Sequence, residues 1–393
     1  MAYEKLAKYM RITDLPSEMV AIGRQIEKDY PEIYTPLMME KMYEGVESHI
    51  PAASSEKQEE MVYRAIYDFW AYGCNVDEEF YLHFDTKTDA EKKEYLVNRL
   101  RHLYVHHLNG GGTYDMIYTL EDKYRLYRRL KPYYLREVIE INGEADYPAF
   151  KDFSSRHETF VVKPCDFFYG IGVHKASVKD FGGDVRAAFD SILSEGIAIK
   201  KRHPSRETKM VLEELIQQDE ALAVLHPSSV NGIRATAVRG KDGQIHIYHP
   251  WIKVGVNGTF VASAALDGFD AEIDPDTGIV ITDGYQESGN VYKVHPDSGI
   301  TIKGLQIPKW KELRDLVETL MKEMSEYKYI GWDLVLTPKG WCVMEGNYSA
   351  EFTFQLINGR GYKREFEELI GWKYDRDYWW QDPICEYGVD AKK

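Results

Sequence analysis

Asp333, Glu345 and Asn347 are three oxygen-bearing side chains in an otherwise apolar stretch, YIGWDLVLTPKGWCVMEGN, from Tyr329 to Asn347. Two carboxylates and a carboxamide suit Mg²⁺, a hard cation that prefers oxygen ligands and keeps water or phosphate in its remaining positions. For the three to meet, the stretch must fold back on itself. Apolar and β-branched residues fill both arms, and Pro338, Lys339 and Gly340 lie between them. That pattern reads as two strands joined by a three-residue loop with Gly at its left-handed position. Thr337 then pairs with Trp341, and Asp333 falls opposite Glu345. Side chains alternate along a strand, so Asn347 shares the face of Glu345, while Trp332 and Met344 turn to the other face as core. A four-residue loop would send Asp333 to the wrong face.

Groups able to meet phosphate lie upstream. Thr159–Pro164 reads as a strand carrying Lys163, followed by a loop with Gly170 and Gly172 and a returning strand over 173–178. A Rossmann fingerprint needs strand, loop and helix with a third glycine, and a Walker loop needs Gly-Lys-Ser/Thr, so neither applies. A glycine loop still lays backbone N–H groups against phosphate oxygens, with Lys163 as a point charge; a plain hairpin turn accounts for the same glycines. Leu120-Glu-Asp-Lys123 opens a helix to about Leu130, with acidic residues in its first turn as the helix dipole favours. Met210–Ile216 reads as a strand running into Gln217-Gln218-Asp219-Glu220. Its edge offers adenine a backbone donor and acceptor, and a carboxylate just beyond it suits ribose hydroxyls; an ordinary strand with charged flanks looks the same. His102 and His106 are four apart on a helix, but Leu-Tyr-Val between them supplies no Glu base, and a structural role is expected.

Several function classes are excluded or disfavoured by composition. With 393 residues and 44% hydrophobic content, the chain supports two or three subdomains. The formal net charge of −15 repels a phosphate backbone, and no basic patch stands out, so no nucleic-acid partner is expected. No apolar run approaches a membrane span, and MAYEKLAKYMRI has no signal-peptide core. Cys74, Cys165, Cys342 and Cys385 are scattered, which fits a reducing, cytoplasmic setting. The 29 Tyr and 8 Trp are expected mainly in packing rather than in ring stacking.

The elements that must position these groups follow from periodicity. Helices are expected near 17–30, 56–72 and 89–107, with Ser55 and Thr88 opening two of them. Gly110-Gly111-Gly112 breaks the pattern. Further on, a helix is expected over 184–194, strands over 233–238 and 244–254, turns at 241–243, 276–278 and 297–299, and an amphipathic helix over 310–324. Asn257-Gly258 is the strongest hairpin signal in the chain.

The order of these parts resembles the ATP-grasp superfamily, and most of all the sugar-transfer-associated ATP-grasp proteins related to α-L-glutamate ligases. The resemblance covers about residues 75–370. It is carried by Asp122-Lys123, Val161-Val162-Lys163-Pro164, Glu213-Glu214-Leu215-Ile216, Ser229-Val-Asn231-Gly-Ile-Arg234, His295-Pro, Ile307-Pro-Lys-Trp310, Gly331-Trp-Asp333 and Glu345-Gly-Asn347. It implies an α+β fold with two subdomains clamping ATP and a mainly helical N-terminal extension. The expected divisions are 1–112 (helical), 113–205 (first subdomain, with the glycine loop), 206–372 (second subdomain, with the metal site) and 373–393 (tail).

Carried over residue by residue, Lys123 and Lys163 meet ATP phosphates under Gly170 and Gly172. Glu213, Glu214, Leu215 and Ile216 form the adenine strand, and either Asp219 or Glu220 holds ribose. Asp333, Glu345 and Asn347 ligate two Mg²⁺ ions. Asn231, Gln355, Arg360 and Lys363 are candidates for substrate contact. D-alanine–D-alanine ligase-like members have an Arg where this chain has Gly331, so the cation must come from elsewhere, with Arg234 or Lys253 as candidates. The implied activity is an ATP- and Mg²⁺-dependent carboxylate–amine ligase. It forms ADP and phosphate through an acyl phosphate, acting on a small amino acid, peptide or sugar-linked substrate in polysaccharide or secondary-metabolite assembly. A phosphotransferase on a hydroxyl and a non-catalytic nucleotide-binding protein are the alternatives. Oligomeric state is not indicated.

Overall fold

The computed structural model describes residues 13–167, 170–203, 209–262, 264 and 267–374. Most of the expected tail (373–393), including Cys385, lies outside them. The described residues divide into two compact units, 13–107 with 351–374 and the described residues of 108–350. No described helix is long and apolar enough to cross a membrane.

The first unit is helical. Helices Pro16–Asp29, Pro36–His49 and Ser55–Tyr72 bury Ile26, Val46, Met61, Val62, Ile66 and Trp70 in one core. Gly23 permits the close approach, since a Cβ there would stand 2.1 Å from the Tyr63 carbonyl oxygen. Ser54, not Ser55, caps the third helix, its hydroxyl accepting from Lys57 N–H. Thr88 and Glu91 form the expected capping box. The helix expected over 89–107 is broken into Asp89–Lys92 and Asn98–Leu108. Pro36–His49 was hidden by its prolines, though Pro at a first helical position is favourable and Thr35 caps it. Residues 351–372, expected to continue the 206–372 subdomain, pack in this unit: Gln355 bonds both backbone groups of Leu96, and Tyr104 bonds Glu367.

The second unit holds two antiparallel sheets. The first has strand order β1-β4-β2-β3, formed by β1 (Val138–Ile141), β2 (Thr159–Pro164), β3 (His174–Ser177) and β4 (Met210–Glu214). Helices Tyr147–Arg156 and Val185–Arg202 cover it and bury Phe150, Phe153, Phe160, Val162, Phe189 and Leu212 together. The second sheet comprises β5 (Ile233–Arg239), β6 (Ile245–Val254), β7 (Phe269–Glu272), β8 (Gly284–Tyr285), β9 (Val291–Tyr292), β10 (Tyr329–Thr337) and β11 (Gly340–Asn347). Its order is β11-β10-β5-β6-β7-β8-β9. Helix Trp310–Glu323 lays its stripe of Leu313, Val317, Leu320 and Met321 against this sheet.

Two further expectations fail locally. Asn257-Gly258 makes a turn, with Asn257 at φ 56°, but no tight hairpin; residues 255–268 separate β6 from β7. The helix expected from Leu120 is instead two helices, Tyr114–Glu121 and Lys123–Leu130. Asp122 interrupts them because its carboxylate accepts from Tyr124 and Arg125 N–H as an N-cap.

Candidate functional site

The β10–β11 hairpin brings Asp333 opposite Glu345, by a route the sequence did not indicate. Thr337 pairs with Gly340 rather than Trp341, and the arm near the loop keeps that register through Leu334 and Val343. A one-residue slip of this kind would send Asp333 and Glu345 to opposite faces. The ladder shifts between Asp333 and Leu334, with Met344 as the extra residue, so Met344 is a bulge residue and not a plain core position. Beyond the bulge Asp333 faces Glu345, and Gly331 faces Asn347. The Asn347 amide donates to the Gly331 carbonyl at 3.2 Å, which leaves its Oδ1 as the acceptor end.

Asp333 also pairs in register with Arg234 on β5. The guanidinium grips its carboxylate through two bonds, Nε to Oδ1 at 2.6 Å and Nη2 to Oδ2 at 3.0 Å, and Lys253 Nζ reaches Oδ2 at 3.2 Å. Burial alone would favour the neutral acid. The Arg234 and Lys253 cations outweigh it and hold the Asp333 carboxyl at about 2. Position 331 has no room for a side chain, since a Cβ there would lie 2.1 Å from Ala350 Cβ and 3.6 Å from Arg234 Cδ. Ala350 is what excludes a side chain at 331, while Arg234 lies at ordinary contact distance beside it.

The first sheet contributes a second charged cluster. Lys163 on β2 and Glu213 on β4 are both buried, with Nζ 2.6 Å from Oε1. Arg136, just before β1, bonds the other Glu213 oxygen at 2.9 Å and the Val343 carbonyl of β11 at 2.6 Å, tying the two sheets together. Burial opposes charge on Glu213, but Arg136 and Lys163 bring its carboxyl down to about 2. Burial lowers Lys163, with Glu213 acting against that. Arg136 was not foreseen, because no spacing marks a lone Arg before a four-residue strand.

Lys123 lies between the two clusters. Its Nζ donates to the Phe167 carbonyl at 2.7 Å and stands 3.4 Å from Glu345 Oε1. Asp122 fixes it by capping the helix and pairing with Lys209. Gly170 and Gly172 have φ of 71° and 74°, and the Gly170 carbonyl accepts from Val173 N–H. At Gly172 a Cβ would also meet Pro164 Cγ at 2.9 Å, so the position demands glycine twice over.

The remaining candidates are placed as follows. Glu214 ends β4, and its N–H is already given to the Glu137 carbonyl; Leu215 and Ile216 follow, half-buried. Asp219 caps a short helix through Ala221 N–H, whereas Glu220 is exposed on its first turn. Asn231 is fully buried and donates to the Leu222 and His226 carbonyls, and Gln355 is spent on Leu96, so both amides serve the fold. Arg360 lies over the Tyr362 ring, and Lys363 pairs with Glu367 in the helical unit. Burial drives His102 down to about 3, keeping it neutral in keeping with a structural role.

The donor set fits Mg²⁺ in kind. Asp333, Glu345 and Asn347 come from directly paired or alternate positions on two neighbouring strands, and all offer hard oxygens. Among the described residues no group of three His, Cys, Asp or Glu gathers that could hold a metal ion, so the candidate set is two carboxylates completed by an amide. Lys123, Arg234 and Lys253 are the cations that now balance the two carboxylates.

The sequence model of the family described as sugar-transfer associated ATP-grasp matches residues 101–369. The chain belongs to this family. The α+β ATP-grasp fold with its helical N-terminal region is therefore established for it, and both charged clusters lie within the matched span. No curated protein matches this ATP-grasp chain. Similar solved structures include D-alanyl-alanine synthetase A from Vibrio cholerae O1 biovar eltor, at 12% identity and TM-score 0.37, covering 68% of this chain and 63% of that one. VanG D-Ala:D-Ser ligase from Enterococcus faecalis follows at 12% identity and TM-score 0.39, with coverage of 66% and 62%. D-alanine–D-alanine ligase from Bacillus anthracis stands at 14% identity and TM-score 0.37, with coverage of 67% and 68%. The chain spans less than two thirds of the length of the first two.

Proposed function

We propose that this ATP-grasp chain is an ATP- and Mg²⁺-dependent carboxylate–amine ligase that works through an acyl phosphate on a small amino acid, peptide or sugar-linked substrate. The supporting observation is the row of groups across β11, β10, β5 and β6. Glu345, Asp333 and Arg234 are directly paired, and Lys253 reaches into the same carboxylate. Bound Mg²⁺, held by Asp333, Glu345 and Asn347, would neutralise charge on the transferring phosphoryl group.

The protein's own groups do the rest. Lys123 and Lys163 bind phosphate oxygens, with Glu213 and Glu345 holding each ammonium in place beforehand. Arg234 and Lys253 stabilise charge on the reacting phosphoryl and acyl oxygens, in place of an arginine at 331. The substrate carboxylate attacks the γ-phosphorus, ADP leaves, and an amine then displaces phosphate. Little acid–base machinery is needed for the first step. Charge neutralisation and positioning dominate phosphoryl transfer.

The test is a screen for ADP and phosphate release against pools of amino acids and small carboxylates. Release that requires a carboxylate and Mg²⁺ is expected. AMP and pyrophosphate as products would refute the acyl-phosphate route.

A further inference from the structure

The charged row on the second sheet does not stop at Lys253. In register, Lys253 of β6 stands directly opposite Asp270 of β7, and Asp270 stands opposite Tyr285 of β8. Directly opposed residues share a face, so Asp270 extends the face that carries Arg234 and Asp333. Asp270 is 5% exposed, and its Oδ1 has no hydrogen-bond partner. Lys253, the cation opposite it, leans away to Asp333. A buried acceptor left without a donor is costly, and a ligand that supplies the donor removes that cost.

The surroundings say which donor. The charged groups acting on Asp270 are Lys253 and Arg234, which favour its carboxylate, and Glu287 and Asp333, which oppose it; Asp333 lies beyond Lys253 and Arg234 on β10. Both cations bond Asp333 in this structure. Towards β8 the charged group is Glu287, two residues beyond Tyr285, and the half-buried Tyr285 stands directly opposite Asp270. A carboxylate beside an aromatic ring suits a small cation. Burial pushes the Asp270 carboxyl up to about 7, in the range where it exchanges a proton near neutrality.

We propose that Asp270 is the residue that binds the ammonium of the second substrate and takes its proton as that amine attacks. The proposal rests on the ligase reading above. The ammonium N–H bonds the Asp270 carboxylate and gives it a proton. The freed nitrogen lone pair forms the C–N bond with the acyl carbon, the C–O bond to phosphate breaks, and phosphate leaves with that electron pair. The second proton lost from nitrogen goes to the departing phosphate.

The experiment compares the full-length wild type with Asp270→Asn in two assays. In the first, a pool of small carboxylates is supplied with ATP, Mg²⁺ and hydroxylamine, which is uncharged near neutrality and traps acyl phosphate as hydroxamate without needing an ammonium site. In the second, a pool of amino acids and amino sugars replaces hydroxylamine, and the added ADP release is read. The variant should form hydroxamate at a rate comparable to wild type while amine-stimulated release falls by at least about a hundredfold. It should also recover part of that loss as pH rises and more of the amine is already neutral. Equal loss in both assays, or loss in neither, overturns the proposal. A wild type that forms no hydroxamate with any carboxylate rejects the ligase reading itself. Thermal melting with and without Mg²⁺-ATP serves as the folding control, with Asp270→Ala as a second variant; relief of the buried, unpartnered Oδ1 should leave both at least as stable as wild type.

Discussion

Replacing Glu213 by Gln tests the buried cluster that holds Lys163. In the native protein one carboxylate balances two buried cations, Arg136 and Lys163. Removing one partner of a buried ion pair typically costs about 3–5 kcal/mol, because the other charge is left uncompensated. The lowered Glu213 carboxyl, which reflects the same two cations, leads to a figure of the same order. The Glu213 carboxyl drops from its ordinary 4.5 to about 2. That gap, at about 1.4 kcal/mol per pH unit, corresponds to roughly 3 kcal/mol of stability at neutral pH. A lowered carboxylate pKa stabilises the fold above the unfolded pKa, and this contribution is lost as pH falls through the folded value. Between pH 6 and pH 3 about 2 of those ~3 kcal/mol should disappear in the wild type and none in the variant. The assay is urea unfolding followed by tryptophan fluorescence at several pH values, with the difference between the two proteins plotted against pH. A difference of about 3 kcal/mol at pH 7 that narrows towards pH 3 is expected. A pH-independent difference, or one below about 1 kcal/mol, would refute the assignment of Glu213 as the counter-charge of this cluster.

Asp333→Asn and Glu345→Gln should each reduce Mg²⁺-dependent ATP turnover by more than about a hundredfold and raise the Mg²⁺ concentration required, as read in ADP-release titrations. Turnover that survives Glu345→Gln unchanged would reject the metal site. Gly331→Ala should lower stability by about 1–3 kcal/mol, since its new Cβ would sit 2.1 Å from Ala350 Cβ, and a denaturation midpoint equal to wild type would contradict that packing. Gly172→Ala should destabilise by at least about 1 kcal/mol through its positive φ and the nearby Pro164, read as a lower melting temperature.

The legibility of the fold in the sequence varied with how local its causes are. Thr88 and Glu91 announced a helix start because a capping box closes within four residues. Asp333, Glu345 and Asn347 stood out as oxygens in an apolar hairpin, and they do share one pair of strands. The loop register did not show itself, because the Met344 bulge compensates a one-residue slip that the hydrophobic pattern cannot distinguish. Asn257-Gly258 misled for the opposite reason. Its turn chemistry is real, but no strand follows until Phe269. Arg136 and Asp270 were invisible because their roles arise from pairing across strands far apart in the chain. The glycine at 331 is explained by Ala350, which packs where a Cβ would stand and lies nineteen residues away in the chain.

Product analysis by phosphorus NMR tests the central claim most directly. Wild-type protein is incubated with ATP, Mg²⁺ and a pool of small carboxylates, with and without hydroxylamine. ADP and inorganic phosphate in equal amounts, together with hydroxamate when hydroxylamine is present, are the predicted result. AMP with pyrophosphate, or a phosphoester resonance without any hydroxamate, would contradict it.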